Sequence, residues 1–307
     1  MRAAGLAVLR ALRAAQGRAV GALVAACPVL EGSFIAAGRA VTRRSRLAGT
    51  LYWSAETELI RRLIASERRF RRLQVAGVEV MADVTDGSAR LDYFHGEPYE
   101  AGLVNALPRL LTPGSVFVDV GANVGFLSIL AARLVGPEGR VIAFEPHPGA
   151  VERLRLGVAA NGVGGTVEVT AAACGAQDGG TIRLHLAGDS VLSSTDPERA
   201  PLRDHFPFLR SIDVPAITID AWMRVRPEIL GRIAAIKIDV EGTEADVLHG
   251  MAATLAACPG AALLCETVAG GPADRWLRER GYDGTLLDER RHAFGNYLYT
   301  RRSLTMC

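Results

Sequence analysis

Between Val116 and Pro148 the chain reads VFVDVGANVGFLSILAARLVGPEGRVIAFEPHP, and this stretch limits the fold more than any other. An apolar run ends on Asp119, turns through Gly121 and Gly125, and gives way to a helix-like pattern. A second apolar run, Val141–Phe144, ends on Glu145, 26 residues after Asp119. Strand, glycine turn, helix and strand in this order predict a βαβ unit, and hence a parallel sheet covered by helices. Glycine lets the backbone turn tightly and approach a ligand, and the helix that follows offers its unpaired N–H groups there. An acid at the end of the second strand can accept hydrogen bonds from the vicinal hydroxyls of a ribose.

The turn itself discriminates between ligands. A dinucleotide turn carries three glycines and lays a pyrophosphate over the helix N-terminus. Here D-V-G-A-N-V-G has two of those glycines and an Asp where the strand ends. A carboxylate repels a pyrophosphate and suits a ligand with an ammonium and a sulfonium, such as the methionine half of S-adenosylmethionine. A nicotinamide cofactor and a turn without any ligand remain as alternatives. On the first reading Asp119 lies near the methionine ammonium, directly or through water, unless it simply caps the helix. Gly121 and Gly125 allow backbone approach, Asn123 adds a short polar side chain, and Glu145 takes the ribose. Ser128 reaches the methionine carboxylate or bonds back to its own helix. Asp178 binds the adenine amino group or, more simply, opens the turn at Gly179-Gly180.

A second block, IKIDVEGTEADVLHG from Ile236 to Gly250, is a buried strand ending in acids and passing into a helix. Together with DVGANVGFLS and AFEPHP it resembles the FkbM-type methyltransferases, a family of S-adenosylmethionine-dependent O-methyltransferases. The upstream segment GEPYEAGLVNAL looks like that family's lead-in. The resemblance covers about residues 73 to 270; the first seventy residues match no pattern of the kind. It implies an α/β class I methyltransferase (Rossmann-like) sandwich with a mostly parallel seven-stranded sheet, plus an N-terminal helical extension and a β-hairpin. It also implies methyl transfer to a hydroxyl of a small molecule, a sugar or polyketide-like metabolite. The rivals are an NAD-dependent oxidoreductase and a non-catalytic binding module docked by its basic N-terminus.

Methyl transfer from an activated donor requires mainly alignment and removal of a proton. Strand alternation puts Lys237, the only lysine beside 34 arginines, on one face with Asp239. We expect Asp239 to orient or deprotonate the acceptor hydroxyl and Lys237 to tune it; a buried ion pair holding the strand is the plainer alternative. Asp239, Glu241 and Glu266 offer an oxygen-rich set for Mg²⁺. The dipole of the following helix explains Glu244 and Asp246 as well, so a metal is the lesser expectation. His147 is expected at the surface and His249 in a structural role.

Charge divides the chain into a basic helical extension, 1–72, and a methyltransferase domain, 73–307. The first carries 14 Arg against 4 Glu, a local +10, and the second a local −8. A neutral-to-acidic catalytic portion argues against a nucleic-acid substrate. Near the start Leu6, Val8, Leu9 and Leu12 fall on one side of a helix with Arg2, Arg10 and Arg13 around it, which fits an anionic membrane surface or packing on the acidic remainder. The longest uncharged run, Ala19–Leu30, has 12 residues, too few to span a bilayer. V-A-A-C at Val24–Cys27 imitates a lipoprotein signal, but the charged lead is long and Pro28 follows, so processing is not expected. Five cysteines without C-x-x-C spacing predict free thiols and a reducing, cytoplasmic setting.

Further along, a helix is expected over Ser54–Phe70, a hairpin over residues 73–94 turning at Asp86-Gly87, and a helix over Tyr99–Leu111. Strands are expected at Val116–Val120, Val141–Phe144, Thr166–Ala172, Thr181–Leu186, Ile236–Val240 and Ala261–Glu266. An antiparallel pair, Tyr282–Leu287 with Tyr297–Arg301, closes the sheet. Residues 190–204 look like a polar lid containing Ser193 and Ser194.

Overall fold

The computed structural model describes residues 2–42, 46–96, 100–187, 193–199, 208–289 and 294–301. It forms two compact units: Met1–Leu73 with Ala82–Tyr99, and Gln74–Met81 with Glu100–Cys307. Residues 82–99, which follow the 72/73 boundary in sequence, thus group with the N-terminal helices.

The first unit contains α1 (Arg2–Ala26), α2 (Glu31–Thr42) and α3 (Arg46–Leu63), and a 3-10 turn, Pro28–Leu30, lies between α1 and α2. Gly17 and Gly21 bring α1 against α3: a Cβ at Gly21 would overlap the carbonyl of Ala55, and one at Gly17 would lie 2.5 Å from the Leu51 oxygen. A strand hairpin, β1 (Phe70–Val75) and β2 (Val78–Asp83), follows, its turn segment Gln74–Met81 counted with the second unit. Its turn is Ala76-Gly77, both with positive φ (47° and 78°), as a two-residue hairpin requires. The expected turn at Asp86-Gly87 is therefore wrong, and the helix expected to Phe70 ends at Leu63. Asp83 Oδ1 accepts from the Thr85 amide and hydroxyl, ending the strand. The chain then coils through α4 (Gly87–Arg90) and a π-helical turn, Leu91–His95. Two buried carboxylates hold this unit. Glu56 meets Arg90 at 2.6 Å and His95 at 3.1 Å, while Glu31 meets Arg68, Arg71 and the Tyr93 hydroxyl.

The second unit alternates strand and helix. After α5 (Ala101–Leu110) come β3 (Val116–Val120), α6 (Phe126–Val135), β4 (Arg140–Phe144), α7 (Pro148–Ala160) and β5 (Val167–Thr170). A short β6 (Ala173–Cys174) then joins β7 (Thr181–Ala187) and β8 (Phe208–Ile217) in a separate three-stranded sheet, order β6-β8-β7. The chain continues through α8 (Ile219–Arg224), α9 (Pro227–Leu230), β9 (Ile233–Ile238), α10 (Glu244–His249), α11 (Ala252–Ala257) and β10 (Ala262–Val268). It ends with α12 (Pro272–Glu279), β11 (Tyr282–Glu289) and β12 (Phe294–Arg301).

The main sheet has seven strands in the order β11-β12-β10-β9-β3-β4-β5, parallel from β10 to β5, with β12 antiparallel to both its neighbours. This is the class I methyltransferase fold expected from the motifs. All five residues of β3 are buried, as befits the central strand. Strand order reverses at β3, whose successor β4 lies on one side and β9 on the other, so a crevice opens at their carboxyl ends. Strand β8 is absent from the sequence expectations: it is mostly solvent-facing and contains Pro215. Among the described residues, Cys174, Cys258 and Cys265 are buried free thiols and Cys27 is half-buried; Cys307 lies outside them.

The α1–α3 contact yields a prediction. Gly21→Val forces a branched side chain into the Ala55 backbone and should destabilise the helical unit by about 2 kcal/mol. The check is thermal melting followed by helical circular dichroism; an unchanged transition would show that the helices do not need this close approach.

Candidate active site

The carboxyl ends of β3, β4, β9 and β10 carry the site. Asp119 lies in register with Lys237 on β9 and Ala143 on β4, so backbone pairing alone puts the carboxylate beside the ammonium. Lys237 Nζ donates to the Gly121 carbonyl at 2.6 Å and stands 3.4 Å from Asp239 Oδ2 and 3.7 Å from Asp119 Oδ1. Burial pulls the ammonium's pKa down, but Asp239 and Asp119, with Glu100 and Glu266 further off, outweigh it and raise it above its ordinary value. Asp119 is fully buried, and burial raises its carboxyl despite Lys237 and the Ser128 hydroxyl.

Ser128 does not bond back to its own helix. Its Oγ donates to Asp119 Oδ2 at 2.5 Å, and the residue is fully buried. The short hydroxyl one helical turn into α6 finds a charged acceptor on β3 that outbids its own helix carbonyls. Gly121 (φ 80°) and Gly125 (φ 85°) are both in the left-handed region. A Cβ at Gly121 would overlap the Asp239 carbonyl, and one at Gly125 would overlap Leu154, so both glycines serve close approach of protein to protein. Between them Asn123 (φ 49°) keeps its side-chain oxygen buried and without a hydrogen-bond partner.

Glu145 ends β4 as expected and shapes the turn. Its Oε2 accepts from the Asn123 amide at 2.8 Å and its Oε1 from the His147 amide at 2.7 Å. Burial dominates and raises this carboxyl to about 7, with the two amides and Lys237 opposing. His147 is not a surface residue: half-buried, it caps α7, its Nδ1 accepting from the Ala150 amide at 3.2 Å. Asp178 accepts from the distant Thr218 amide at 3.2 Å, just before Gly179 and Gly180, both with positive φ.

The loop after β9 is built in the same way. Glu244 turns back so that its Oε1 accepts from the Gly242 amide at 2.9 Å and the Val240 amide at 3.3 Å, and burial raises this carboxyl to about 7. That inward role was missed by reading Glu244 only against the helix dipole. The loop carries Asp239 and Glu241, the latter at φ 57°. Carboxylate oxygens of Asp239, Glu241 and Glu266 lie within 4.8 Å of one another, a spacing that could hold a metal ion. His249 packs edge-on against Trp276 with centroids 5.8 Å apart, a structural position as expected.

The segment expected to be a lid is described at residues 193–199. Ser194 bridges to His185, and its buried hydroxyl donates to the Glu241 carbonyl at 2.7 Å. Thr195 meets Thr243 at 3.3 Å, and Arg199 pairs with Asp246 at 2.9 Å. The segment thus clasps the loop that bears the acids. Beside it opens a cavity of about 340 Å³ lined by Cys174, Gln177, Thr181, Ile182, Thr195 and Thr243, among others. None of these was singled out as a ligand contact from sequence, because the pocket forms only when the small sheet, the clasp and α10 converge. Burial first, and the Glu145 carboxylate second, raise the Cys174 thiol well above its ordinary pKa.

Comparison with known proteins agrees with this geometry. The family model of the methyltransferase FkbM domain matches residues 119–283. Protein-L-isoaspartate O-methyltransferase of Aeropyrum pernix is 42% identical over 78 residues, 24% of this chain and 30% of that protein. Methyltransferase 1 of Beauveria bassiana is 26% identical over 148 residues, 45% of this chain and 58% of that one. The chain therefore spans less than two thirds of either relative's length. The solved structure of P. horikoshii TYW2 in complex with MeSAdo aligns at a TM-score of 0.42 with 13% identity, covering 76% of this chain and 71% of that one.

Lys237 supplies the sharpest test of the site's electrostatics. Lys237→Met leaves Asp119 and Asp239 without their cation and should cost about 3–5 kcal/mol of stability. Without it the folded-state pKa of Asp119 rises further above the unfolded value. Such a group favours folding below the unfolded pKa, and that advantage is lost as pH climbs through the folded pKa. The deficit should thus be larger at about pH 8 than at about pH 5. Asp119→Asn in the same chain should recover part of it. Thermal melts of the three proteins at both pH values decide; a deficit independent of pH would show that packing rather than charge is lost.

Proposed function

Because the chain belongs to the methyltransferase FkbM family, we propose that it transfers a methyl group from S-adenosylmethionine to a hydroxyl oxygen of a small molecule. The observation that carries this reading is the acidic edge around one ammonium: Lys237 stands 3.7 Å from Asp119 and 3.4 Å from Asp239, whose carboxylate groups with those of Glu241 and Glu266 within 4.8 Å. So negative an environment attracts a ligand with an ammonium and a sulfonium and repels a pyrophosphate. A nicotinamide cofactor is disfavoured on that ground.

The residues fit the donor. Asp119 Oδ1 and Asn123 Oδ1, which accept no hydrogen bond, lie at the end of β3 and in the turn after it, where the methionine half would be held. Glu145 would take the ribose hydroxyls, and the cavity beside Cys174, Gln177 and Thr243 would take the adenine or the acceptor. When bound, S-adenosylmethionine supplies a methyl on a positive sulfur that leaves as a neutral thioether. Asp239 accepts the proton of the attacking hydroxyl, so the new ether forms without a charged oxygen. Lys237, 3.4 Å away, orients that carboxylate. The O-methyltransferase activity named for the Aeropyrum pernix relative supports oxygen as the acceptor atom. Sugar or polyketide-like hydroxyl compounds are the acceptor class proposed. Proton removal by a carboxylate activates a hydroxyl without a metal, so Mg²⁺ at Asp239, Glu241 and Glu266 is a secondary reading.

Two measurements test this. Isothermal titration with S-adenosylhomocysteine should give an affinity that is constant above about pH 7.5 and falls by up to about tenfold per unit below 7. An ionised Glu145 accepts hydroxyl hydrogen bonds better, and its carboxyl protonates as pH drops through about 7. Glu145→Gln should bind weakly with little pH dependence; a flat profile in the unaltered protein would remove Glu145 from the ribose site. Asp239→Asn should retain S-adenosylhomocysteine binding and lose about 10²- to 10⁴-fold in kcat against a panel of hydroxyl acceptors. Full turnover by that variant would exclude Asp239 as the base.

A further inference from the structure

The outward face of α1 has the wrong chemistry for water. Gly17, Gly21 and Val24 are the buried side of this helix, the two glycines meeting α3. Opposite them, Leu12, Ala19, Leu23 and Ala26 form an exposed stripe at helical spacing, with Leu12 at 59% and Leu23 at 58% exposure. The stripe runs into the bend after Cys27, where Val29 is 87% exposed and Leu30 40%. No charged residue lies on it between Leu12 and Leu30; by the helical period the half-buried Arg13 and the exposed Arg18 lie about 110° to either side of its centre, Arg13 next to Val24. A helix of a water-facing bundle normally turns its charged side outward, and this one turns out leucine and alanine.

We propose that this face docks on an anionic lipid bilayer, lying in the headgroup region with Leu12, Leu23, Val29 and Leu30 buried among the acyl chains. Charge selects this occupant: residues 1–72 carry a net +10 with 14 arginines, the complement of an acidic headgroup surface. The flanking Arg13 and Arg18 have side chains long enough to reach phosphates while their stems stay with the apolar stripe. Geometry selects lying on over passing through. No single helix among the described residues is long and apolar enough to cross a membrane, and α1 and α2 meet at 115°, which presents the bend as an apolar wedge. The surface is distinct from the β-strand edge that holds the candidate active site, and its action is independent of the reaction proposed there.

The test is vesicle co-sedimentation of the full chain, read alongside circular dichroism and light scattering. Phosphatidylcholine vesicles containing phosphatidylserine should bind it at least about tenfold more strongly than phosphatidylcholine alone. About 0.5 M salt should weaken that binding. Leu12→Asp with Leu23→Asp and Val29→Asp should abolish it, and the milder pair Arg13→Glu with Arg18→Glu should reduce it about tenfold, both with native dichroism. Should the triple variant misfold, the arginine pair still decides. Absence of binding, equal binding to both vesicle types, or binding unchanged in the variants would overturn the proposal. So would a dimer in light scattering that the triple variant dissolves without any vesicle binding, which would assign the stripe to a second copy of the chain.

Discussion

Everything at the candidate site hangs on one buried ammonium. Lys237 joins three elements at once: the β3 turn through the Gly121 carbonyl, the end of β3 through Asp119, and the end of its own strand through Asp239. Two carboxylates at this depth would each cost several kcal/mol to leave unpaired, and a single cation between them offsets much of that. The chain uses arginine at 34 other basic positions, so its one lysine stands out. A guanidinium is a planar fork suited to facing one carboxylate in two contacts. An ammonium is a compact charge with three donors, and it can serve a carbonyl and two acids lying in different directions. Lysine is the side chain that this three-way junction admits.

Around the junction, acids are used to hold backbone. Glu145 accepts two amides from the segments flanking the β3 and β4 termini, and Glu244 accepts two from the loop after β9. Both are buried, both have carboxyls raised to about 7, and both draw in amides that no neighbouring strand could satisfy. Turns with positive φ at Gly121, Asn123, Gly125 and Glu241 expose such amides, and a carboxylate answers two at a time. The acidity of the edge is thereby structural before it is functional. A cationic ligand meets a field that the turns already require.

This explains how far the sequence could be read. The βαβ core, the glycine turn and the terminal acids were legible because they depend on short-range periodicity: an apolar run, a turn residue, an apolar run. The grouping of Asp239, Glu241 and Glu266 was legible too, since all three sit at the ends of adjacent parallel strands. What escaped depends on partners far along the chain. Ser128 has as its acceptor Asp119, on a different element. Ser194 was read as part of a lid, and its partner is a carbonyl 47 residues away. Strand β8, FLRSIDVPAI, is apolar at six of its ten positions, but Pro215 interrupts it and its apolar residues keep no regular alternation along its length. The hairpin turn was misplaced because Asp-Gly is the stronger local signal, whereas the strand beyond Ala76-Gly77 is held by a distant residue, Asn161, through both backbone groups of Glu79.

The opposed charges of the two sequence halves follow from the same logic. Residues 73–307 carry a net −8, of which residues 82–99, grouped with the helices, hold −3; the unit with the acidic ligand edge is thus at −5 and is repelled by anionic surfaces. Any docking to phosphate-rich surfaces has to come from a segment that reverses the sign. The arginine-rich helices do so with a local +10, and their buried acids, Glu31 and Glu56, are already committed to arginines within the same unit. Those internal pairs leave other arginines, Arg13 and Arg18 among them, to act outward.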